Sequence, residues 1–206
     1  PEARNDQGIP FFHGKDALAG WHKVVDAVHG EDGLFAPQIW HTGLVREQFP
    51  DKPRPSTPEG PSGLYRPGEP YGQAMSEKDV IDTIAAFVES ARAAADMGCD
   101  AVELHGAHGY LIDQFFWQGL NLRDDRWGGS LENRLRFSVE ICSRIRNMAG
   151  DDFIIGMTVS GAEPYPGGRC SSIVSSFTDC HRHDEPTAYN AATLSLFLLA
   201  VSKAIP

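Results

Sequence analysis

The sequence predicts an α/β fold in which strands and helices alternate around a parallel sheet. Three short apolar segments, residues 34–40, 100–105 and 153–159, are separated by stretches in which apolar residues recur at helical spacing. Strands that alternate with helices in this way form a parallel sheet, in either a doubly wound fold or a (β/α) barrel. In both architectures functional residues gather just beyond the carboxyl ends of the strands.

The first predicted unit begins with a helix and is followed by a proline-rich stretch. Asp16 is a candidate helix cap, apolar residues at helical spacing follow it, and Gly30 is a plausible stop. Residues 34–40 read as the first strand. Residues 50–70 then contain seven of the chain's 14 prolines, which predicts a long irregular loop of the kind that often forms a functional lid.

The second and third units have clearer helix boundaries. Ser76 and Asp79 have the spacing of a capping box, and Gly98 would end the helix that follows. Ser130 is the expected cap of the next helix, which Gly150 would close. The strands at residues 100–105 and 153–159 follow these two helices, so the alternation continues to about residue 160.

The strand–helix rhythm stops near Arg169. Residues 169–206 contain serine pairs, a cluster of cysteine, histidine and acidic residues, and a late apolar run, but no continuing alternation. We therefore divide the chain into a barrel-like domain, residues 1–168, and an atypical tail, residues 169–206. A shifted reading frame, an altered splice or disorder would account for such a tail.

Composition narrows the class of protein. Of the 206 residues, 41% are hydrophobic and 22% charged, which is typical of a globular protein. A formal net charge of −10 disfavours a nucleic-acid partner, because nucleic-acid surfaces need clustered Lys and Arg. The four cysteines lack CxxC spacing, so we expect a reducing, cytoplasmic location.

The two ends of the sequence lead to two further expectations. The apolar run from Leu194 to Val201 is far shorter than the roughly 20 residues that span a bilayer, so no membrane segment is expected. The first residues lack both an initiator Met and the apolar stretch of a signal peptide. We interpret the sequence as starting inside a longer parent protein.

The most informative motif lies where the second strand becomes a loop. His105 and His108 are three residues apart, and Tyr110 follows two residues later, with small residues between them. Imidazole N–H groups can hold a carbonyl or nitro oxygen, and a phenol can deliver a proton. Two alternatives stay open: hydrogen-bonded core histidines, or a metal site and metal-dependent hydrolase that would add His41 as a third ligand.

Residues 102–115, which contain this motif, resemble the signature of the old yellow enzyme family of FMN oxidoreductases. The similarity continues through residues 121–137, and residues 38–43 resemble the strand that holds a flavin-facing glutamine in that family. Together it extends from about Gly8 to about Gly168. Within the family, the sequence is most similar to the branch with trimethylamine dehydrogenase and bacterial demethylases.

The resemblance implies a partial (β/α)8 TIM barrel of about three strand–helix units, with FMN lying across its carboxyl-terminal mouth. It implies that His105 and His108 grip an oxygen of a small-molecule substrate, that Tyr110 donates a proton, and that Gln38 binds the flavin. The expected activity is reduction of activated alkenes such as α,β-unsaturated carbonyl compounds, with NAD(P)H as the hydride donor. A homo-oligomer is a further expectation for the whole parent protein.

Two departures from the family pattern weaken this expectation, and so does the absence from the prediction of the other five strands of an eight-stranded barrel. Thr158 and Leu44 stand where many relatives have an arginine, which leaves less positive charge near a reduced flavin. Rival hypotheses are an amine dehydrogenase or demethylase of the same fold, and a non-catalytic fragment. Because a barrel of this class needs about 250 residues, we expect the 206 residues alone to bind FMN weakly or not at all and to lack turnover.

Overall fold

A computed structural model of the chain describes residues 3–4, 8–45, 57–160 and 172–176. Strands and helices alternate in the order that the sequence predicts, with additional short elements. In chain order the elements are α1 (Lys15–His29), β1 (Gln38–Ile39), β2 (Glu59–Gly60), β3 (Leu64–Arg66), β4 (Glu69–Pro70), β5 (Gln73–Ala74), α2 (Glu77–Asp96), β6 (Ala101–Gly106), α3 (Leu111–Phe116), α4 (Leu131–Ala149), β7 (Ile154–Ser160) and β8 (Ser172–Ser176).

The main sheet has the strand order β1-β6-β7-β8, and its first three strands are parallel. This confirms the predicted α/β fold with a parallel sheet. The first strand is shorter than the predicted residues 34–40, since only Gln38–Ile39 form a regular ladder. The segment before it nevertheless runs beside β6. The Asp100 amide donates a hydrogen bond to the Phe35 carbonyl, and the Glu103 amide donates one to the Pro37 carbonyl, each at 3.0 Å.

One face of the sheet forms the apolar core with the helices. Val102 and Leu104 of β6 and Ile155 and Met157 of β7 are at most 2% exposed and pack with apolar side chains of α2, α3 and α4. Because side chains alternate along a strand, the residues between them lie on the opposite face. The helices therefore leave that second face of the sheet free for polar residues.

The helix ends confirm two of the three predicted caps. Ser76 accepts a hydrogen bond from the Asp79 amide, and the Asp79 carboxylate accepts one from the Ser76 amide at 2.8 Å, which is a complete capping box. Ser130 caps α4. The prediction for Asp16 was wrong, since Gly14 is the cap residue of α1 and has a φ of 82°, a conformation that favours glycine. Asp16 lies in the first turn, where its charge suits the positive end of the helix.

The predicted irregular loop is partly ordered into short strands. In residues 57–75, β2 pairs in parallel with β5, and β3 pairs antiparallel with β4, while residues 46–56 lie outside the described part of the chain. The Arg123 guanidinium donates to the carbonyls of Pro61, at 3.1 Å, and of Met75. We call residues 57–75 the excursion. Arg123 therefore joins the excursion to the loop between α3 and α4.

Leu44 is enclosed by the same excursion. Its side chain is 1% exposed, and two glycines approach its methyl groups. A β-carbon at Gly60 would lie 2.6 Å from Leu44 Cδ1, and one at Gly72 would lie 2.7 Å from Cδ2. A β-carbon at either position would press on Leu44, so the leucine packs into a closed site.

Besides the short strands β2 to β5, two further elements were not predicted. All six residues of α3 are buried, and so short a segment gives no helical periodicity from which it could be identified. After Arg169, where no regular element was expected, β8 pairs antiparallel with β7, and Ser172 lies opposite Ser160. Residues 177–206 lie outside the described part. No helix in the described part is both long and apolar enough to cross a membrane.

The aromatic stack between α3 and α4 offers a test of the core. Phe115 and Phe137 are fully buried, and their rings stack at 4.3 Å with an interplanar angle of 14°. We expect Phe137→Ala to lower the free energy of unfolding by about 3–5 kcal/mol, because a large cavity forms. Leu122→Ala is the control, since Leu122 is 64% exposed and should stay within about 0.5 kcal/mol of wild type. Urea denaturation measures both, and equal effects would contradict this description of the core.

Candidate active site

The face of the sheet opposite the core bears the chemically reactive side chains. Glu103 and His105 alternate with the core residues of β6, so both lie on this face. The register places Gln38 beside Glu103, and Thr158 beside His105. We call this surface the inner face, because strands of a (β/α) barrel direct it toward the barrel interior.

The two histidines and the tyrosine form one cluster at the carboxyl end of β6. The ring centroid of His105 lies 5.1 Å from that of His108 and 5.0 Å from that of Tyr110, and the His108 and Tyr110 rings are 6.5 Å apart. The indole of Trp40 packs edge-on against Tyr110 at 4.5 Å and against His105 at 5.8 Å. The expected clustering of His105, His108 and Tyr110 is therefore present, and Trp40 extends it.

His105 is the most deeply buried imidazole of this cluster. It is 6% exposed, and its Nδ1 atom has no hydrogen-bond partner among the described residues. Burial lowers the pKa of His105, the nearby His108 lowers it further, and the carboxylate of Glu103 opposes the shift. His105 is therefore a neutral imidazole near neutral pH, with one buried nitrogen whose hydrogen-bonding capacity is unused among the described residues. A buried polar atom without a partner is costly unless something else binds it.

Tyr110 keeps its proton at neutral pH. Burial raises the pKa of its phenol above the ordinary value, because the apolar surroundings disfavour the phenolate. Tyr110 is also the residue before the first turn of α3, where it has an extended backbone and makes no side-chain cap. Its hydroxyl can therefore act as a donor toward the inner face.

Toward the amino ends of the strands, Glu103 and Gln38 form the next layer of the inner face. The hydroxyl of Thr158 donates a hydrogen bond to the Glu103 carboxylate. Gln38 is exposed, and its register with Glu103 puts it on the same face of the sheet as His105. The polar groups of three neighbouring strands thus converge on one surface.

The turn between β6 and α3 contains glycines but is not free to bind phosphate. The amides of four successive residues already have acceptors within the chain at 2.8–3.2 Å; in order, His108 donates to Ser160, Gly109 to Asp113, Tyr110 to Ala107 and Leu111 to His41. Such turns bind phosphate through free backbone N–H groups. This turn therefore supports side chains rather than a phosphate group.

His41 is held by its own loop. Its Nδ1 accepts a hydrogen bond from the Gly43 amide at 3.0 Å, so a neutral His41 carries its proton on Nε2. Within residues 3–4, 8–45, 57–160 and 172–176, no group of three His, Cys, Asp or Glu side chains is placed to bind a metal. An open depression beside α1, lined by residues such as Lys23, Ala27 and Gly33, shares no residue with the histidine cluster.

The amino-acid sequence matches that of a known protein family. Residues 1–179 match the model of the NADH:flavin oxidoreductase / NADH oxidase family. One relative, described as a probable inactive reductase easA from Epichloe festucae var. lolii, is 38% identical over 167 residues, which are 80% of this chain and 44% of the relative. The chain thus spans less than half the length of that protein.

Solved structures show the same relationship at the level of the fold. A structure of morphinone reductase in complex with tetrahydroNAD matches with a TM-score of 0.68 and 30% identity over 76% of this chain and 47% of that one. Histamine dehydrogenase from Rhizobium sp. 4-9 matches with a TM-score of 0.60 and 29% identity over 70% of this chain and 22% of that one. The predicted partial (β/α)8 barrel is confirmed by this similarity.

The burial of His105 predicts how stability depends on pH. Because the folded state lowers the pKa of His105, the unfolded chain takes up a proton first as the pH falls below about 6.5. The free energy of unfolding should therefore decrease from that pH down through the folded pKa. His105→Gln should remove this part of the decrease, as measured by urea unfolding at a series of pH values. His13→Gln, at an exposed histidine, is the control, and an equal change in both variants would contradict the prediction.

Proposed function

Because the chain belongs to the NADH:flavin oxidoreductase / NADH oxidase family, we propose that the whole protein is an FMN-dependent, NAD(P)H-using reductase of activated alkenes. Its substrates would be small molecules such as α,β-unsaturated carbonyl compounds. One observation favours this function above all: a buried imidazole nitrogen without a partner lies beside a second imidazole and a protonated phenol.

His105 and His108 would bind the electron-withdrawing oxygen of the substrate. A neutral imidazole donates one hydrogen bond and accepts another, and a ligand oxygen is a suitable acceptor for the N–H of each ring. Donors aimed at an oxygen stabilise the negative charge that develops there as the double bond is reduced. The low pKa of His105 suits this role, since a neutral ring can stay buried while it waits for a ligand.

Tyr110 would supply the proton. Its raised pKa keeps the phenol protonated at neutral pH, and the edge-on contact with Trp40 at 4.5 Å fixes the ring. The ring centroids of Tyr110 and His105 are 5.0 Å apart, which supports a position of the phenol near an oxygen that His105 would hold. General acids placed in this way accelerate proton transfer by about 10²–10⁴-fold.

The inner face would also accept one edge of a flavin. FMN supplies the hydride chemistry when it is bound. Gln38 would hold it, because an exposed amide on the inner face offers both a donor and an acceptor to a heterocyclic edge. The turn at residues 108–111 would not hold its phosphate, since the four amides there already have acceptors. The phosphate contacts would come from parts of the whole protein outside the described residues.

A second candidate is oxidation of an amine by the same kind of flavoprotein. Glu103 has a hydroxyl partner, Thr158, and forms no ion pair with a described residue, so a carboxylate on the inner face is available to a cationic substrate. The similarity to histamine dehydrogenase agrees with this alternative. A screen of unsaturated carbonyl compounds against amines, with the whole protein, would distinguish the two candidates.

The decisive test of the proposed reductase concerns Tyr110. In the whole protein, Tyr110→Phe should slow alkene reduction by about 10²–10⁴-fold, because the phenol is needed only when a proton is delivered to carbon. Reduction of the flavin by NAD(P)H should stay within about twofold of wild type. Stopped-flow measurement of the two half-reactions separates these effects.

The matched control is Tyr65→Phe. Tyr65 belongs to the excursion and packs against Tyr71 at 6.0 Å, so both half-reactions should keep their wild-type rates. Equal losses in both half-reactions of the Tyr110 variant would mean that Tyr110 positions the flavin rather than donating a proton. A wild-type protein that reduces no alkene would contradict the proposed function itself.

A further inference from the structure

The turn that presents His108 has an unusual backbone conformation. His108 has a φ of 59° and Gly109 a φ of 75°, so two successive residues lie in the left-handed region. Glycine adopts this region freely, but a histidine does so at a cost that the surrounding structure must offset. Something in the described structure must therefore hold His108 in place.

Two buried side chains provide this support. The His108 amide donates to Ser160 Oγ at 2.8 Å, and Ser160 Oγ donates to Asp113 Oδ2 at 2.9 Å. The same carboxylate oxygen accepts the Gly109 amide at 2.8 Å. Asp113 and Ser160 are each 1% exposed, so water competes little for these bonds. Both left-handed amides are thus held by one connected pair, which we call the Asp113–Ser160 pair.

The pair joins elements that are distant in sequence. Ser160 is the last residue of β7, one position beyond the register pair of Gly106 and Val159. Asp113 lies in the first turn of α3. Hydrogen bonds that involve a carboxylate are roughly twice as strong as those between neutral groups. The position of the turn is therefore fixed from both the neighbouring strand and the following helix.

The backbone of His108 decides where its ring lies. In the left-handed conformation the Cα–Cβ bond points differently from the direction in an extended or helical backbone. Here the exposed His108 ring is brought within 5.1 Å of the His105 ring. Without the support, the turn could relax to ordinary dihedral angles and the two rings would separate.

We infer that Asp113 and Ser160 are positioning residues that hold His108 in its left-handed conformation, so that its imidazole faces the same oxygen as His105. The functional part of this inference rests on the proposed reductase, while the structural part does not. Neither residue touches the substrate in this account, and each acts through the backbone of the turn.

The test compares Ser160→Ala with Ser138→Ala in the 206-residue chain. Ser138 is also fully buried and makes one hydrogen bond, to the Leu135 carbonyl at 2.8 Å within α4, so it controls for the loss of a buried hydroxyl. Hydrogen exchange followed by NMR should show the His108 amide exchanging at least about tenfold faster in Ser160→Ala. The Ser138 variant should leave that amide unchanged.

A second readout excludes a purely structural role. Because the proximity of His108 lowers the pKa of His105, release of His108 should raise the His105 titration midpoint in Ser160→Ala but not in Ser138→Ala. Unchanged exchange at His108 together with an unchanged His105 midpoint would overturn the inference. If Ser160→Ala does not fold, the wild type decides: a slowly exchanging His108 amide supports the inference, and exchange at the rate of an unstructured chain overturns it.

The functional part is measured in the whole protein. Ser160→Ala should slow alkene reduction by about tenfold and leave reduction of the flavin by NAD(P)H unchanged. Alkene reduction at the wild-type rate, despite fast exchange at His108, would overturn the positioning role. A failure of the proposed function would look different, since the wild type itself would then reduce no alkene while its His108 amide stayed protected.

Discussion

The alternation of side chains along β6 is the constraint on which both the apolar core and the inner face depend. Val102 and Leu104 face the helices and are completely buried, whereas Glu103 and His105 face the other way. A shift of one residue in the pairing with β7 would exchange the two faces and place a carboxylate and an imidazole in the apolar core. The cost of that exchange keeps the register fixed. The same packing that stabilises the fold therefore also sets the position of His105.

The residues of the candidate site are held by different kinds of structure. His105 lies within a strand that is hydrogen-bonded on both sides, so it has the most rigid support. Tyr110 lies at the beginning of α3, and its ring packs against Trp40. His108 lies between them in a turn that depends on side-chain hydrogen bonds. A ligand that binds all three groups would therefore meet side chains fixed in three ways: by a strand ladder, by ring packing and by the Asp113–Ser160 pair.

Local features of the sequence were the most predictable. The capping box at Ser76 depends on residues three positions apart, and the proximity of His105 to His108 follows from one strand end, so both could be identified from spacing alone. The partnership of Ser160 with His108 could not, because it joins residues 52 positions apart. The only signal was that Ser160 follows directly after a predicted strand. The short helix α3 and the antiparallel strand β8 were missed because neither has a periodic pattern of its own, and the tertiary environment determines both.

The enclosure of Leu44 limits which substitutions the neighbouring positions 60 and 72 tolerate. Gly60 and Gly72 lie against the leucine methyl groups, which a β-carbon at position 60 or 72 would approach to 2.6 or 2.7 Å, respectively. A larger residue at position 60 or 72 would require the Leu44 side chain to move. The three positions therefore form one packing unit, in which the effect of a substitution at one depends on the residues at the other two.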